Sequence, residues 1–162
     1  MNRILILLIF ILILGGASAY YFFSRNTAPN LNNGTMGVQV FFNNDRLDPE
    51  FSCNKVFPVQ RTIERTLAVA RAALQELLKG PTQEEKEQGF FTSINTGVQI
   101  QSLSIIDRIA RVDFDEQLES QVGGSCRVAA IRAQITETLK QFSTVDSVVI
   151  SINGRTEDIL QP

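Results

Sequence analysis

The spacing of hydrophobic residues changes character several times along the chain, and each change marks an element. From Ile4 to Phe23 the sequence runs 20 residues without a charge, bracketed by Arg3 and Arg25. A helix rising 1.5 Å per residue would cover about 30 Å over this stretch, the thickness of a bilayer's hydrocarbon core. Two readings stand side by side. The Ile/Leu block from Ile4 to Leu14, followed by Ala17-Ser18-Ala19, has the layout of a signal peptide with a small-residue cleavage site. Equally, Tyr20-Tyr21-Phe22-Phe23 places aromatics where an uncleaved anchor meets the far interface. Either reading of residues 1–24 delivers the rest of the chain outside the cytoplasm. Residues 25–37, rich in Asn with Pro29 and two glycines, lack periodicity and read as a flexible tether.

Beyond the tether the period shortens to two. Val38 to Phe42 and Val56 to Ile63 read as strands, the second at an edge because Pro58 cannot donate to a ladder. From Thr66 the spacing becomes helical: Leu67, Ala70, Leu74, Leu77 and Leu78 share one face, and Gly80-Pro81 stops the helix. Thr82 and Glu85 have capping-box spacing and open a short second helix. Val98 to Ile106 and Ile109 to Phe114 form a hairpin about Asp107-Arg108, with Ala110, Val112 and Phe114 on its apolar face. A second long helix, capped by Ser125, presents Val128, Ile131, Ile135, Leu139 and Phe142. Ser147 to Ile152 is the last strand, Asn153-Gly154 closes it, and residues 155–162 read as a polar tail. The order ββαββαβ predicts an α+β domain over residues 38–154. Its economical packing is a mixed sheet of about five strands with two long helices on one face.

Composition narrows the chemistry. The chain of 162 residues contains no His, which removes the usual general base, Ser-His and Cys-His nucleophile pairs, and His-containing zinc sites. A net charge of −2 without a basic stripe makes a poor phosphate tracker, so no nucleic-acid partner is expected. Mean hydropathy of +0.04 is raised largely by the N-terminal run.

Few residues remain as candidates for a site. Cys53 and Cys126 are the only cysteines, and in an exported chain an even pair reads as a disulfide, with two buried thiols as the alternative. No cysteine directly follows the apolar run, so a lipid-attached form is not expected. Asp113, Asp115, Glu116 and Glu119 are the densest acidic patch. A pair of carboxylates can cleave glycosidic bonds, but Asp113 fits a strand end where it accepts backbone N–H bonds, and the others fit a solvated turn. No catalytic residue, cofactor or metal site is assigned; an enzyme acting on cell-wall glycan through these carboxylates, and a small-ligand sensor with a pocket between helix and sheet, stay open as alternatives. Of the aromatic pairs Phe41-Phe42 and Phe90-Phe91, burial under a helix or loop is expected, with an exposed ring marking a partner surface.

Four blocks of residues also resemble a known family. Leu77-Leu78-Lys79-Gly80-Pro81-Thr82 with Glu85, Gly89, Phe90, Thr92, Ile94 and Gly97 is similar to the LL-x-GPT…E…G…T-x-I-x-x-G block of the GerMN domain of sporulation and germination proteins. Ala110 to Phe114 matches its A-x-VDF strand, Gly123-Gly124 and Ile135 to Leu139 follow in order, and Val145 to Val148, Ile150 and Asn153-Gly154 match its ending. The resemblance implies that Gly80, Pro81, Thr82, Gly89, Asp113, Asn153 and Gly154 are motif positions. It implies an exported or membrane-attached module that works by protein-protein interaction in the bacterial cell envelope, contacting a partner or itself, with no established catalysis. This chain carries one copy, no lipid-attachment Cys and no appended domain, so envelope assembly in general is implied rather than sporulation in particular.

Overall fold

The computed structural model describes residues 34–50 and 52–161. The expected membrane span, and the tether up to residue 33, lie outside the described residues. Among the described residues no helix is long and apolar enough to cross a membrane.

Among the described residues six strands and three α-helices follow in order: β1 (Thr35–Asn44), β2 (Phe57–Glu64), α1 (Val69–Leu78), α2 (Gln83–Glu87), β3 (Phe90–Phe91), β4 (Ile100–Ile106), β5 (Ile109–Phe114), α3 (Ser125–Lys140) and β6 (Ser147–Ile152). β1 alternates as its sequence demands, with Val38, Val40 and Phe42 buried. It starts three residues before the expected boundary, so Thr35, Met36 and Gly37 belong to the sheet rather than to the tether. β2 lies antiparallel to it from Thr35↔Glu64 to Phe42↔Phe57.

The α+β class is as expected, but the strands form two sheets of three, ordered β2-β1-β3 and β4-β5-β6, instead of one mixed sheet of about five. The cause is visible along β1. Its edge opposite β2 is taken by side chains of α3. The Gln141 amide accepts from Gln39 N–H at 2.8 Å and donates to Gln39 C=O at 2.6 Å, as a strand residue would. Thr138 Oγ1 accepts from Phe41 N–H at 3.1 Å. Further along, Gln134 Nε2 donates to Asn43 Oδ1 at 2.6 Å. These bonds occupy both Gln39 backbone groups and the Phe41 N–H, so α3 stands where another long strand would have to pair, and only the two residues of β3 join beyond, at Asn43↔Phe91 and Asn44↔Phe90.

The second sheet is a hairpin extended by a parallel strand. Asp107 and Arg108 both take positive φ, 51° and 62°, the turn conformation that matches strand twist in a two-residue hairpin. β5 pairs antiparallel with β4 and parallel with β6, from Ile109↔Ser147 to Phe114↔Ile152. Ala110, Val112 and Phe114 face the core as the alternation requires. α3 packs on β1, on α1 and on β6, so a continuous apolar core centred on Ile131, Ile135 and Leu139 joins the two sheets.

Three expectations are corrected in detail. Leu67 precedes α1 and is 88% exposed, so it is no part of the helix's buried face. Ser125 is the first helical residue of α3 and does not cap it; Gly124, at φ 86°, holds the cap position without a side-chain bond. The C-terminal segment is not simply polar: Ile159 and Leu160 are each only 3% exposed and complete the core, after Arg155 has paired back onto Ile152.

Candidate functional site

The motif residues gather into three clusters that hold loops to strands. Gly80 ends α1 with φ 75°, donating to Leu77 C=O at 2.9 Å, and Pro81 behind it is buried. Thr82 and Glu85 then form the expected reciprocal capping box on α2. Glu85 does more than cap: its carboxylate takes a two-pronged ion pair from Arg61 of β2, with Nη2 to Oε2 at 2.6 Å. Both side chains are nearly buried, at 12% and 13% exposure, and the guanidinium lies 5.9 Å from the centre of the Phe42 ring. Burial works to raise the Glu85 carboxyl, but the Arg61 and Thr82 hydrogen bonds outweigh it and hold the group below the usual carboxylate range.

Gly89 belongs to the second cluster. Its φ is 91°, and a Cβ there would sit 2.3 Å from Asp45 Oδ1, so the turn after α2 admits only glycine. Its carbonyl accepts from Asp45 N–H at 3.1 Å, and the buried Asn44 amide donates to Gln88 C=O at 3.1 Å. Asn44 Oδ1 meanwhile accepts from the N–H groups of Arg46 and Leu47, both at 2.9 Å.

In the third cluster Asp113 Oδ1 accepts from Gly154 N–H at 2.9 Å and from Ser151 Oγ at 2.6 Å, fastening the Asn153-Gly154 turn to the end of β5. This is the strand-end role that its position implied. Two of its acidic neighbours are committed as well, rather than merely solvated. Asp115 Oδ1 accepts from Gln99 N–H at 3.0 Å, and Glu119 pairs with Arg155 while accepting from Leu160 N–H at 3.4 Å. Among the described residues, no three His, Cys, Asp or Glu side chains come together as a metal site requires.

Cys53 and Cys126 form a disulfide with Cα atoms 4.9 Å apart, clasping the β1–β2 loop to the first turn of α3. Beside it opens a cavity of about 320 Å³, whose walls include Asn43, Asp48, both cysteines, Phe91 and Arg127. Asn43, in its wall, belongs to a polar chain that periodicity arguments passed over: Thr92 Oγ1 donates to Gln134 Oε1 at 2.7 Å, Gln134 to Asn43, and Asn43 Nδ2 to Lys55 C=O at 3.0 Å. The signal was present in the sequence as Gln134, Thr138 and Gln141, polar residues at i, i+4 and i+7 directly beside the apolar stripe of α3. Of the aromatic pairs, Phe42 is fully buried, Phe41 and Phe90 are half-buried, and Phe91 is 40% exposed at the cavity mouth.

The other prominent surface is β4. It is an edge strand of seven residues, IQSLSII, without charge or proline, and it ends in Ile105 and Ile106, which are 38% and 62% exposed. β2, by contrast, carries Pro58, Arg61 and Glu64 along its length. Charges and proline blunt an edge against pairing; β4 has neither.

Two three-stranded sheets bridged by one long helix, with their loops pinned by GPT, Gly89 and Asp113, define a small α+β module. The sequence model of the Germane family, described as sporulation and spore germination, matches residues 39–158, and the chain belongs to that family. Its fold is similar to the tandem GerMN domains of the sporulation protein GerM from Bacillus subtilis, with TM-score 0.58 and 20% identity, over 76% of this chain and 41% of that one. The first GerMN domain of the same protein gives TM-score 0.55 and 22% identity, over 75% of this chain and 85% of that one. This chain thus spans less than half of the tandem structure and most of the single domain. No curated protein matches the sequence.

Proposed function

We propose that the chain is a non-catalytic protein-interaction and assembly module of the bacterial cell envelope, placed outside the cytoplasm by the Ile4 to Phe23 segment. The observation that carries this reading is the edge of β4, which among the described residues pairs only with β5: it is uncharged, largely exposed, and ends in Ile105 and Ile106, 38% and 62% exposed. An extended segment of another envelope protein, or a second copy, pairs with such an edge through main-chain hydrogen bonds and gains apolar contact at Ile105 and Ile106. Family membership supports the reading, since the family is described by sporulation and spore germination and not by a reaction. The alternative of a glycan-cleaving enzyme is weakened because Asp113, Asp115 and Glu119 already serve backbone N–H groups or an arginine.

A photo-crosslinking residue at Ser104, activated in the native envelope and followed by mass spectrometry, tests the proposal. Capture of a defined envelope protein or a second copy is expected from Ser104 and not from a control at Glu64 on β2. Equal yields at the two positions, or none at either, would remove the support for assembly through β4.

A further inference from the structure

The cavity beside the disulfide has a charge balance that points to a ligand, independently of the assembly reading. Its volume of about 320 Å³ falls at the lower end of the range of small-molecule sites. Phe91, Ala130 and the two sulfur-bearing side chains supply its apolar surface, and Ala130, only 4% exposed, leaves the room that a larger side chain would fill. Two ionisable residues line it, and they are not equivalent.

Asp48 is matched. Only 6% exposed, it accepts from Ser52 N–H at 2.7 Å and from Ser52 Oγ at 3.1 Å, and Lys55 Nζ stands 3.7 Å away. Arg127 is not. Its guanidinium donates to three neutral oxygens: Ser93 C=O at 3.3 Å, Gln121 C=O at 3.2 Å and Asn95 Oδ1 at 2.6 Å. Those bonds hold the group in place but leave its charge without an acid, since among the described residues no carboxylate pairs with it. A half-buried cation fixed by neutral acceptors at the wall of an apolar cavity is arranged to receive an anion.

We propose that this cavity binds a small carboxylic acid with a ring-sized apolar body, the ring lying between Phe91 and Ala130 and the carboxylate meeting Arg127. The same chemistry is offered by a free aryl acid and by the C-terminal residue of a peptide ending in an aromatic side chain. Both place one carboxylate a few bonds from one ring.

The test uses the folded, disulfide-bonded protein and nuclear magnetic resonance titration with 3-phenylpropionate, its neutral amide, and N-acetyl-phenylalanine. Saturable shifts are expected at Phe91, Arg127 and Ala130, with the acid bound about tenfold more tightly than the amide, the scale of one charge-assisted hydrogen bond. Tighter binding of N-acetyl-phenylalanine than of 3-phenylpropionate assigns the site to a peptide C-terminus, and the reverse order to a free acid. Arg127→Gln should abolish the preference for acid over amide, while Arg127→Lys keeps part of it. Ala130→Leu should weaken all three probes by filling the cavity, which keeps the proposal testable should Arg127→Gln fail to fold. Absence of shifts at these residues up to millimolar probe, or equal binding of acid and amide, would overturn the proposal.

Discussion

Glu85 shows how much one side chain does when a motif is read as more than a stop signal. It caps α2, and it also joins α2 to β2 through Arg61 in a largely enclosed ion pair. Removing one partner leaves a mostly buried guanidinium facing a neutral group. Glu85→Gln is therefore expected to cost about 2 kcal/mol at neutral pH, measured by urea unfolding. The pH dependence follows from the direction of the shift. Because the folded carboxyl lies below its ordinary value of 4.5, its stabilisation is fully present above that value and is lost as pH falls through the folded value. Wild type and Glu85→Gln should thus converge in stability in acid; a gap that stays constant would show that the ion pair is not its source. The capping box itself was legible from the Thr82 and Glu85 spacing. The ion pair was not, because Arg61 lies 24 residues away on a strand whose register only the tertiary structure sets.

At the scale of elements, the local signals held where one face of an element meets the core. β5 was readable to the residue because alternation and a two-residue turn specify both its ends. The hairpin partner, the stop after α1 and the apolar stripe of α3 were legible for the same reason. What sequence reasoning missed was the interior polar stripe of α3, since a period of 3.6 identifies a buried face only when that face is apolar. Gln134 and Thr138 are fully buried because they are hydrogen-bonded and not because they are hydrophobic: Thr138 accepts from the Phe41 N–H at the edge of β1, and Gln134 joins the Asn43 and Thr92 side chains. That is why two sheets form where one was expected. Thr138→Val keeps the shape and deletes the acceptor for Phe41 N–H, so a loss of about 2 kcal/mol is expected with the fold retained. Faster amide exchange at Phe41 than at its neighbours facing β2 would locate the loss; unchanged exchange there would refute the assignment. The burial of Ile159 and Leu160 was missed for a different reason, as two apolar residues at a chain end carry no period.

At the scale of the whole molecule, the Cys53–Cys126 disulfide links residues 73 positions apart and so restricts most of the unfolded domain. In the chain-entropy account, closing a loop of this size contributes about 4 kcal/mol. The double substitution of Cys53 and Cys126 by Ala should lower the thermal midpoint, with the oxidised wild type losing the same amount when reductant is added. Equal midpoints for wild type with and without reductant would contradict a structural role. The pairing was legible from cysteine arithmetic in an exported chain, whereas the cavity beside it was not, because its walls come from four separate stretches of sequence. β1 is where the described domain begins, and it is held on one flank by the ladder to β2 and on the other by Gln141, Thr138 and Gln134. A pull on the chain ahead of Gly34 would reach this strand first and be resisted from both of its flanks. The domain hangs, in effect, from a strand fastened on both sides.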